Sequence, residues 1–193
     1  MKKLIDYILA AIGLILYLIS EKIFNHCIRK FHNNRLQRRL KTIGNGCIIH
    51  GESNITGLEK IEIGNNVQIN TNALIRGEGG LVIGDNTHIA RNVVIYTHNH
   101  NYEGMALPYD NTFRFRPVII EKNVWIGVNV TVLPGAHIGE GAIIGAGSVV
   151  GGKVDSLAIY GASEGRVIKY RDKNHYNLLE EKKSYGGPNG NLL

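Results

Sequence analysis

Aliphatic residues recur every six positions along most of the chain. The clearest run is Ile120, Ile126, Val132, Ile138, Ile144 and Val150. Four positions after each of them comes a small or β-branched residue, from Val124 to Val154. An amphipathic helix has a period near 3.6 and a half-buried strand a period near 2, so the pattern fits neither. A fixed longer period is the mark of a repeat architecture.

Earlier repeats continue the same pattern towards the N-terminus. They begin at Ile43, Ile49, Ile55, Ile63, Ile69, Ile75, Ile83, Ile89 and Ile95. Six residues form one short strand and one turn, and three such units close a triangular coil. Two-residue shifts at Ile61 and Leu81 are of the size that corner bulges absorb, and Gly and Asn supply corners that need positive φ. The pattern therefore predicts an all-β solenoid of about five coils around an aliphatic column.

The repeat is interrupted once, between His100 and about Pro117. The segment I-Y-T-H-N-H-N-Y, from Ile95, precedes the interruption, and R-P-V-I-I-E-K-N-V-W-I-G, from Arg116, follows it. A long loop that leaves a regular scaffold is where function tends to lie. We therefore expect an excursion loop over residues 101–117 that carries the chemistry.

These repeats and flanking segments resemble the hexapeptide-repeat acyltransferases. The similarity is strongest to the galactoside and maltose O-acetyltransferases and to the capsule or exopolysaccharide O-acetyltransferases, and it covers roughly residues 43–169. It implies a left-handed parallel β-helix; the periodicity alone would not give this hand, because parallel crossovers are otherwise right-handed. It also implies a homotrimer with active sites between subunits.

The resemblance also implies the catalytic residues. The family's catalytic base falls on His100, with His98, Tyr102 and Trp125 near the active site. Acetyl-CoA is already an activated thioester, so an attacking hydroxyl needs mainly a base with a pKa near neutrality, which imidazole supplies. The group that orients this imidazole is left open among Glu103, Asp110 and a backbone carbonyl. Trp125 is either a trimer-interface residue or a wall beside the thioester.

Matching to the galactoside-type enzymes gives candidate ligand contacts. The CoA-binding positions are Gly127, Val128, Ala146, Gly151, Gly152, Lys153, Arg166 and Lys169. Arg166 and Lys169 would supply cations for a CoA phosphate, and Lys153 would supply charge where Gly151 and Gly152 replace a Thr-Lys pair. The family's acceptor contacts fall on Asn70 and Glu78, and Arg114 is a further candidate because of its charge. Asn70 and Glu78 are equally explained as polar corner residues, and Arg114 and Arg116 either meet an acidic sugar or are solvated.

The first 42 residues have a different pattern. An apolar stretch over residues 4–19 is shorter than the roughly 20 residues that span a bilayer, and no signal-cleavage site follows it. A basic amphipathic stretch comes next. Together with a net charge of +6, these features predict a cytoplasmic protein on the inner face of the membrane, or helices that pack on neighbouring subunits. We predict three segments: helices over residues 1–42, the β-helix over 43–170 and a polar tail over 171–193.

The predicted function is acetyl-CoA-dependent O-acetylation of a sugar, in a surface glycan or lipid-linked saccharide. One alternative is an N-acetyltransferase acting on an amino sugar or a nucleotide-linked sugar. Another is a metal-dependent enzyme like the γ-class carbonic anhydrases, which needs three histidines around zinc. The last is a non-catalytic scaffold. The two cysteines have no metal-ligand spacing, so no metal site is expected, and no nucleic-acid partner is expected either.

Overall fold

The computed structural model describes residues 37–161 and 172–184, and, nearer the N-terminus, residues 12–14, 17, 19, 20 and 23. The chain divides into two compact units, Met1–Arg39 and Leu40–Leu193. The described residues between positions 12 and 23 are helical and exposed. Among all the residues described, no helix is both long enough and apolar enough to cross a membrane.

The second unit is built from short strands. They are β1 (Thr42–Ile43), β2 (Ile48–Ile49), β3 (Asn54–Thr56), β4 (Ile61–Ile63), β5 (Gln68–Ile69), β6 (Leu74–Arg76), β7 (Leu81–Ile83), β8 (His88–Ile89), β9 (Val94–Tyr96), β10 (His98–His100), β11 (Phe113–Phe115), β12 (Val118–Ile120), β13 (Trp125–Ile126), β14 (Thr131–Val132), β15 (His137–Ile138), β16 (Ile143–Ile144), β17 (Val149–Val150), β18 (Lys153–Val154) and β19 (Ile159–Tyr160). A 3₁₀ turn covers Leu58–Lys60, and a helix, α1, covers Lys173–Glu181.

Successive strands pass to successive sheets, so each coil has three sides. The first sheet has the order β1-β4-β7-β12-β15-β18, the second β19-β16-β13-β8-β5-β2 and the third β17-β14-β9-β6-β3. The pairings within these sheets are parallel. The predicted all-β solenoid is confirmed, and its form is consistent with a left-handed β-helix.

The solenoid extends one partial coil beyond the roughly five expected. Strands β18 and β19 continue the first and second sheets after the last predicted repeat. Six residues after Val150 comes Ser156. The residue that pairs with Ile138 is instead Val154, two positions before Ser156. The coil tightens at this point because the inward position must be apolar, and the simple period therefore missed it.

The repeat residues form the core, as predicted. Ile89, Ile95, Ile120 and Ile126 are each 0% exposed, and all the other repeat aliphatics except Ile43, in the first coil, are buried as well. Each buried side chain of this size contributes roughly 1.5–3 kcal/mol relative to an exposed one. The two extra residues at each shift place one more side chain inside the coil. These side chains, with Val118 in the next coil, form a stacked inward column of Ile61, Leu81 and Val118.

Asparagine ladders run along two corners. Asn66, Asn86 and Asn123 have φ of 52°, 57° and 61°, a conformation that asparagine tolerates better than most residues. Their side chains are linked by hydrogen bonds of 3.0 and 3.1 Å from one coil to the next. A second ladder links Asn72, Asn92 and Asn129. The predicted role of Asn at the corners is confirmed.

The interruption forms an antiparallel hairpin of β10 and β11. His98 pairs with Phe115 and His100 with Phe113, so the chain leaves the coil at His98, before the expected start of the excursion. Beneath the hairpin the coil closes: the Arg116 amide donates to the Thr97 carbonyl oxygen at 2.8 Å, and β12 pairs with β7.

The C-terminal helix lies against the tip of the excursion. Asp172 caps α1 by accepting a hydrogen bond from the amide of His175 at 2.7 Å. The Nε2 atom of His175 lies 3.0 Å from the carbonyl oxygen of Gly104, and the amide of Leu107 donates to the carbonyl of Ser184. The excursion is thus fastened at its root by the coil and at its tip by α1.

Candidate active site

The predicted site residues fall on two edges of the triangular coil. We call the corner between the third and first sheets the hairpin edge, because β10 and β11 leave the coil there, and the corner between the second and third sheets the distal edge. The hairpin edge carries Glu78, His98, His100, Tyr102, Arg114, Gly151, Gly152 and, in the adjoining strand, Lys153. The distal edge carries Asn70, Gly127, Val128 and Ala146, and Trp125 is in the adjoining strand β13.

The hairpin has two flanks. Because side chains alternate along a strand, His98, His100, Phe113 and Phe115 share one flank, and their rings contact one another. This flank, which we call the aromatic flank, faces earlier coils, since Lys60 lies over the Phe115 ring at 5.6 Å. The opposite flank bears Asn99 and Arg114 and faces later coils.

His100 is packed between two aromatic rings. Its ring stacks on Tyr109 with 3.9 Å between centroids, and it lies 4.5 Å from Phe113. Its Nδ1 atom is buried, and no described group forms a hydrogen bond with it. Aromatic packing on two sides therefore fixes the ring plane of His100.

Asp110, one of the candidates for orienting His100, organises the loop instead. Its carboxylate accepts hydrogen bonds from the Met105 amide at 2.8 Å and the Thr112 amide at 2.9 Å, and from the Thr112 hydroxyl. The hydroxyl and then these amides lower the pKa of Asp110 below its ordinary value. The side chain of Glu103 pairs with Arg114.

Replacing Asp110 with Ala is expected to loosen the excursion. Buried donors left without an acceptor cost roughly 1–3 kcal/mol, so we expect the free energy of unfolding to fall by about that amount. Since the pKa of Asp110 is lowered by folding, its stabilisation is present above the ordinary carboxyl pKa and is lost as the pH falls through the lowered value. Urea unfolding of both proteins at neutral and acidic pH tests this.

Asp155 offers a matched control, because its side chain is 85% exposed and pairs only loosely with Lys153, at 3.5 Å. Asp155→Ala should leave the unfolding curve unchanged. An Asp110→Ala protein that is as stable as wild type at neutral pH would contradict the anchoring role.

A cavity of about 420 Å³ opens beside His100 on the flank that faces later coils. It is lined by Asn99, His100, Tyr102, Arg114, Arg116, Leu133 and Pro134. At the next coil, a Cβ on Gly151 would lie 3.3 Å from the Leu133 side chain. The cavity therefore lies next to the Gly151-Gly152 corner, where CoA contacts were predicted.

The two arginines of this cavity differ in their partners. The guanidinium of Arg114 pairs with Glu103 and lies 5.4 Å from the Tyr102 ring centroid, and the Glu103 hydrogen bond raises the pKa of Arg114. Among the described residues no carboxylate lies within ion-pair distance of Arg116. The stem of Arg116 lies over Gly135, where a Cβ would come within 3.3 Å of it. Arg116, which the sequence left either in contact with an acidic sugar or solvated, thus lines the cavity without a carboxylate partner among the described residues.

The distal-edge residues do not meet His100 within one chain. Gly127 packs against the backbone of Ala146 in the next coil, and the Val128 carbonyl accepts from the Gly147 amide at 2.9 Å. Asn70 donates to the Ile89 carbonyl at 3.2 Å. Trp125 is 57% exposed on the second sheet and does not line the cavity. Arg166 and Lys169 lie outside the described residues.

A zinc site of the γ-class carbonic anhydrase kind would need His137 together with His98 and His100, and His137 lies in β15 of the first sheet. Its Nε2 atom is 2.7 Å from a Glu121 carboxylate oxygen, an interaction that lowers the pKa of Glu121. Within the part of the chain that the structure describes, no group of three His, Cys, Asp or Glu side chains could hold a metal ion.

The strands that follow the hairpin match a known family. Residues 117–152, from the end of the hairpin through the six strands β12 to β17, match the model of the bacterial transferase hexapeptide (six repeats). This part of the chain carries the bacterial transferase hexapeptide repeat. The predicted family resemblance is thereby confirmed. Among curated proteins, no sequence matches the chain significantly.

Solved structures with this fold include acetyltransferases. A maltose O-acetyltransferase from Clostridium difficile 630 is 29% identical with a TM-score of 0.62, over 73% of this chain and 75% of that one. A galactoside acetyltransferase in complex with coenzyme A is 27% identical with a TM-score of 0.62, over 75% and 72%. A variant of AntD, an N-acyltransferase from Bacillus cereus, in complex with dTDP-4-amino-4,6-dideoxyglucose and coenzyme A, is 25% identical with a TM-score of 0.52, over 78% and 95%. These likenesses support an acyltransferase.

Proposed function

We propose that the protein is an acetyl-CoA-dependent O-acetyltransferase that acts on a sugar hydroxyl, with His100 as the general base. One observation carries the proposal: His100 lines the cavity on one flank of the hairpin and packs on Phe113 on the other. A residue in this position reaches two substrates that approach from opposite sides. Holding both substrates in line supplies much of the rate of such a transfer.

The reaction requires one proton transfer at His100. Its Nε2 takes the proton of the acceptor hydroxyl as that oxygen attacks the thioester carbonyl. Backbone amides at the coil corners are the available donors for the resulting oxyanion. When the C–S bond breaks, the imidazolium returns the proton to the sulfur of CoA. The base is then ready for the next acceptor.

The two flanks suit different substrates. The cavity contains Arg116, which has no carboxylate partner in the described part of the chain, and adjoins Gly151 and Gly152, which suits the anionic CoA. The aromatic flank carries exposed rings, with Phe113 38% and Phe115 54% exposed, and Glu78 beside it. Rings with polar neighbours suit a sugar, which presents both C–H and hydroxyl groups. We assign the donor to the cavity and the acceptor to the aromatic flank.

A homotrimer would complete this site. The predicted CoA contacts are split between the hairpin edge and the distal edge of one chain. Packing three solenoids side by side brings the distal edge of one copy to the hairpin edge of the next. Exposed apolar residues on the outer sides of the coil, such as Ile48, Trp125 and Val149, are available for such packing. Analytical ultracentrifugation of the full chain tests the assembly.

Transfer of labelled acetyl groups from acetyl-CoA to a panel of sugars tests the proposed reaction. An O-acetyl ester is cleaved by mild alkali or hydroxylamine, whereas an amide is stable. An alkali-stable product would support the alternative of an N-acetyltransferase for an amino sugar or nucleotide-linked sugar, which the likeness to AntD favours. No transfer to any sugar, amino sugar or nucleotide sugar would contradict both.

We further propose that the acceptor is a surface glycan or lipid-linked saccharide, met at the inner face of the membrane. The net charge of +6 and the basic stretch before residue 42 support this location. Co-sedimentation of the full chain with anionic liposomes, compared with neutral ones, tests it. Equal recovery with both lipids would contradict an electrostatic attachment.

A further inference from the structure

A carboxylate and a second imidazole face each other on the aromatic flank. Glu78 comes from the corner between β6 and β7, and its Oε2 lies 3.5 Å from Nδ1 of His98 in the hairpin. Both atoms are buried, yet neither forms a hydrogen bond with any of the described residues. Buried polar atoms nearly always have a partner, so a pair of this kind requires an explanation.

We propose that Glu78 holds His98 so that His98 binds the acceptor, at the hydroxyl next to the one that His100 deprotonates. This inference rests on the proposed function and deepens it, because it defines the acceptor as a saccharide with two adjacent hydroxyls. Contacts in empty sites are often long and tighten when the substrate binds. A few tenths of an ångström would convert the contact into a hydrogen bond from Nδ1–H to the carboxylate.

Such a hydrogen bond would fix the tautomer of His98. A carboxylate that accepts from Nδ1–H leaves the lone pair on Nε2, which can then accept a proton from a hydroxyl group. The side chain of His98 is only 15% exposed, and the rings of Tyr96, Phe113 and Phe115 surround it. The ring is therefore fixed in place on several sides.

The two histidines are placed to bind neighbouring groups. Residues two apart on a strand point to the same side, so His98 and His100 project together from β10. Phe113 lies between them, with centroid distances of 5.3 Å to His98 and 4.5 Å to His100. A sugar ring that packs its C–H face on Phe113 would present adjacent hydroxyls to the two imidazoles.

The two histidines have different surroundings and therefore different roles. His100 lines the donor cavity and has no described partner at Nδ1, whereas His98 faces a carboxylate and does not line that cavity. The Lys60 ammonium donates to the backbone carbonyl of Glu78 at 2.9 Å, which fixes the corner without occupying the carboxylate. His98 is thus a binding residue, and Glu78 positions it.

The kinetic test uses removing and conserving variants of each residue. Methyl glycosides of glucose, galactose and mannose serve as acceptors. We expect His98→Leu and Glu78→Ala to raise the KM for the accepted glycoside by about 10- to 100-fold, with kcat and the KM for acetyl-CoA within about threefold of wild type. His98→Gln and Glu78→Gln retain the polar atoms and should recover most of the loss. Glu62→Ala, which removes an exposed carboxylate paired with Lys41, is the matched control.

Nitrogen NMR of the histidine rings in the full chain gives an independent measurement. We expect His98 to carry its proton on Nδ1 in the wild type and to lose this preference in Glu78→Ala. An unchanged acceptor KM in both removing variants, or an unchanged tautomer, would overturn the inference. If the wild type acetylates none of the glycosides, the result contradicts the proposed reaction for these sugars. The tautomer measurement then decides the role of Glu78 by itself.

Discussion

His100→Ala should lower the kcat for acetyl transfer by about 10²- to 10⁴-fold, the usual contribution of a positioned general base. The hydroxyl of a sugar is a poor nucleophile at neutral pH, so the reaction depends on a base that removes its proton during attack. The KM for acetyl-CoA should change little, because imidazole acts on the acceptor rather than on the donor. Steady-state release of free CoA thiol measures both parameters.

Two controls separate catalysis from structure in this variant. His137→Ala removes a histidine of the first sheet whose partner is Glu121, and it should leave kcat unchanged. Added imidazole should restore part of the activity of His100→Ala, because a small base can enter the space left by the ring. A His100→Ala enzyme within a factor of ten of wild type would exclude His100 as the base.

Gly79→Ala should disable the enzyme without touching a substrate. A Cβ at Gly79 would lie 2.0 Å from the Thr97 carbonyl oxygen, and that oxygen accepts the Arg116 amide at the root of the hairpin. The Thr97 hydroxyl also accepts the Gly79 amide at 2.7 Å. The root must therefore shift, which we expect to cost about 1–3 kcal/mol of stability and about 10²-fold in kcat, as a misplacement of about 1 Å can.

Gly161→Ala is the matched control, because no described residue lies within 4 Å of a Cβ built there. Urea unfolding and CoA-release kinetics of the two variants give the comparison. A Gly79→Ala protein that unfolds like wild type and retains its kcat would show that the root tolerates displacement. Equal losses of stability and kcat in both variants would show that the solenoid is sensitive to any added methyl group, not only to one at the hairpin root.

The period of the hydrophobic residues was sufficient to predict the core, because each inward position admits only an apolar side chain. Ile126 and Ile144 were placed in this way and are buried. The same period missed the partial sixth coil. There the inward residue is Val154, two positions before Ser156, where the six-residue period would place it. A pattern at fixed spacing does not anticipate a corner that tightens.

The site was less predictable, because it depends on contacts across the hairpin. The resemblance singled out His100 and Glu78. Glu78 and His98 are separated by one coil, as Asn66 and Asn86 are, so the sequence spacing alone would have placed Glu78 beside His98. No sequence signal distinguished Arg114 from Arg116. That difference arises from Glu103, whose position follows from the conformation of the loop.

Because the coil closes beneath the hairpin, the packing of the solenoid column does not depend on the hairpin that bears His100. Val118 continues the stack from Leu81 as though residues 98–115 were absent, and the Asn86–Asn123 link crosses the same insertion at another corner. The segment proposed to be catalytic therefore joins the coil at two adjacent points, and α1 holds its tip. Exchanging it for a hairpin of another length or composition would change which acceptor is chosen and leave the supporting column intact.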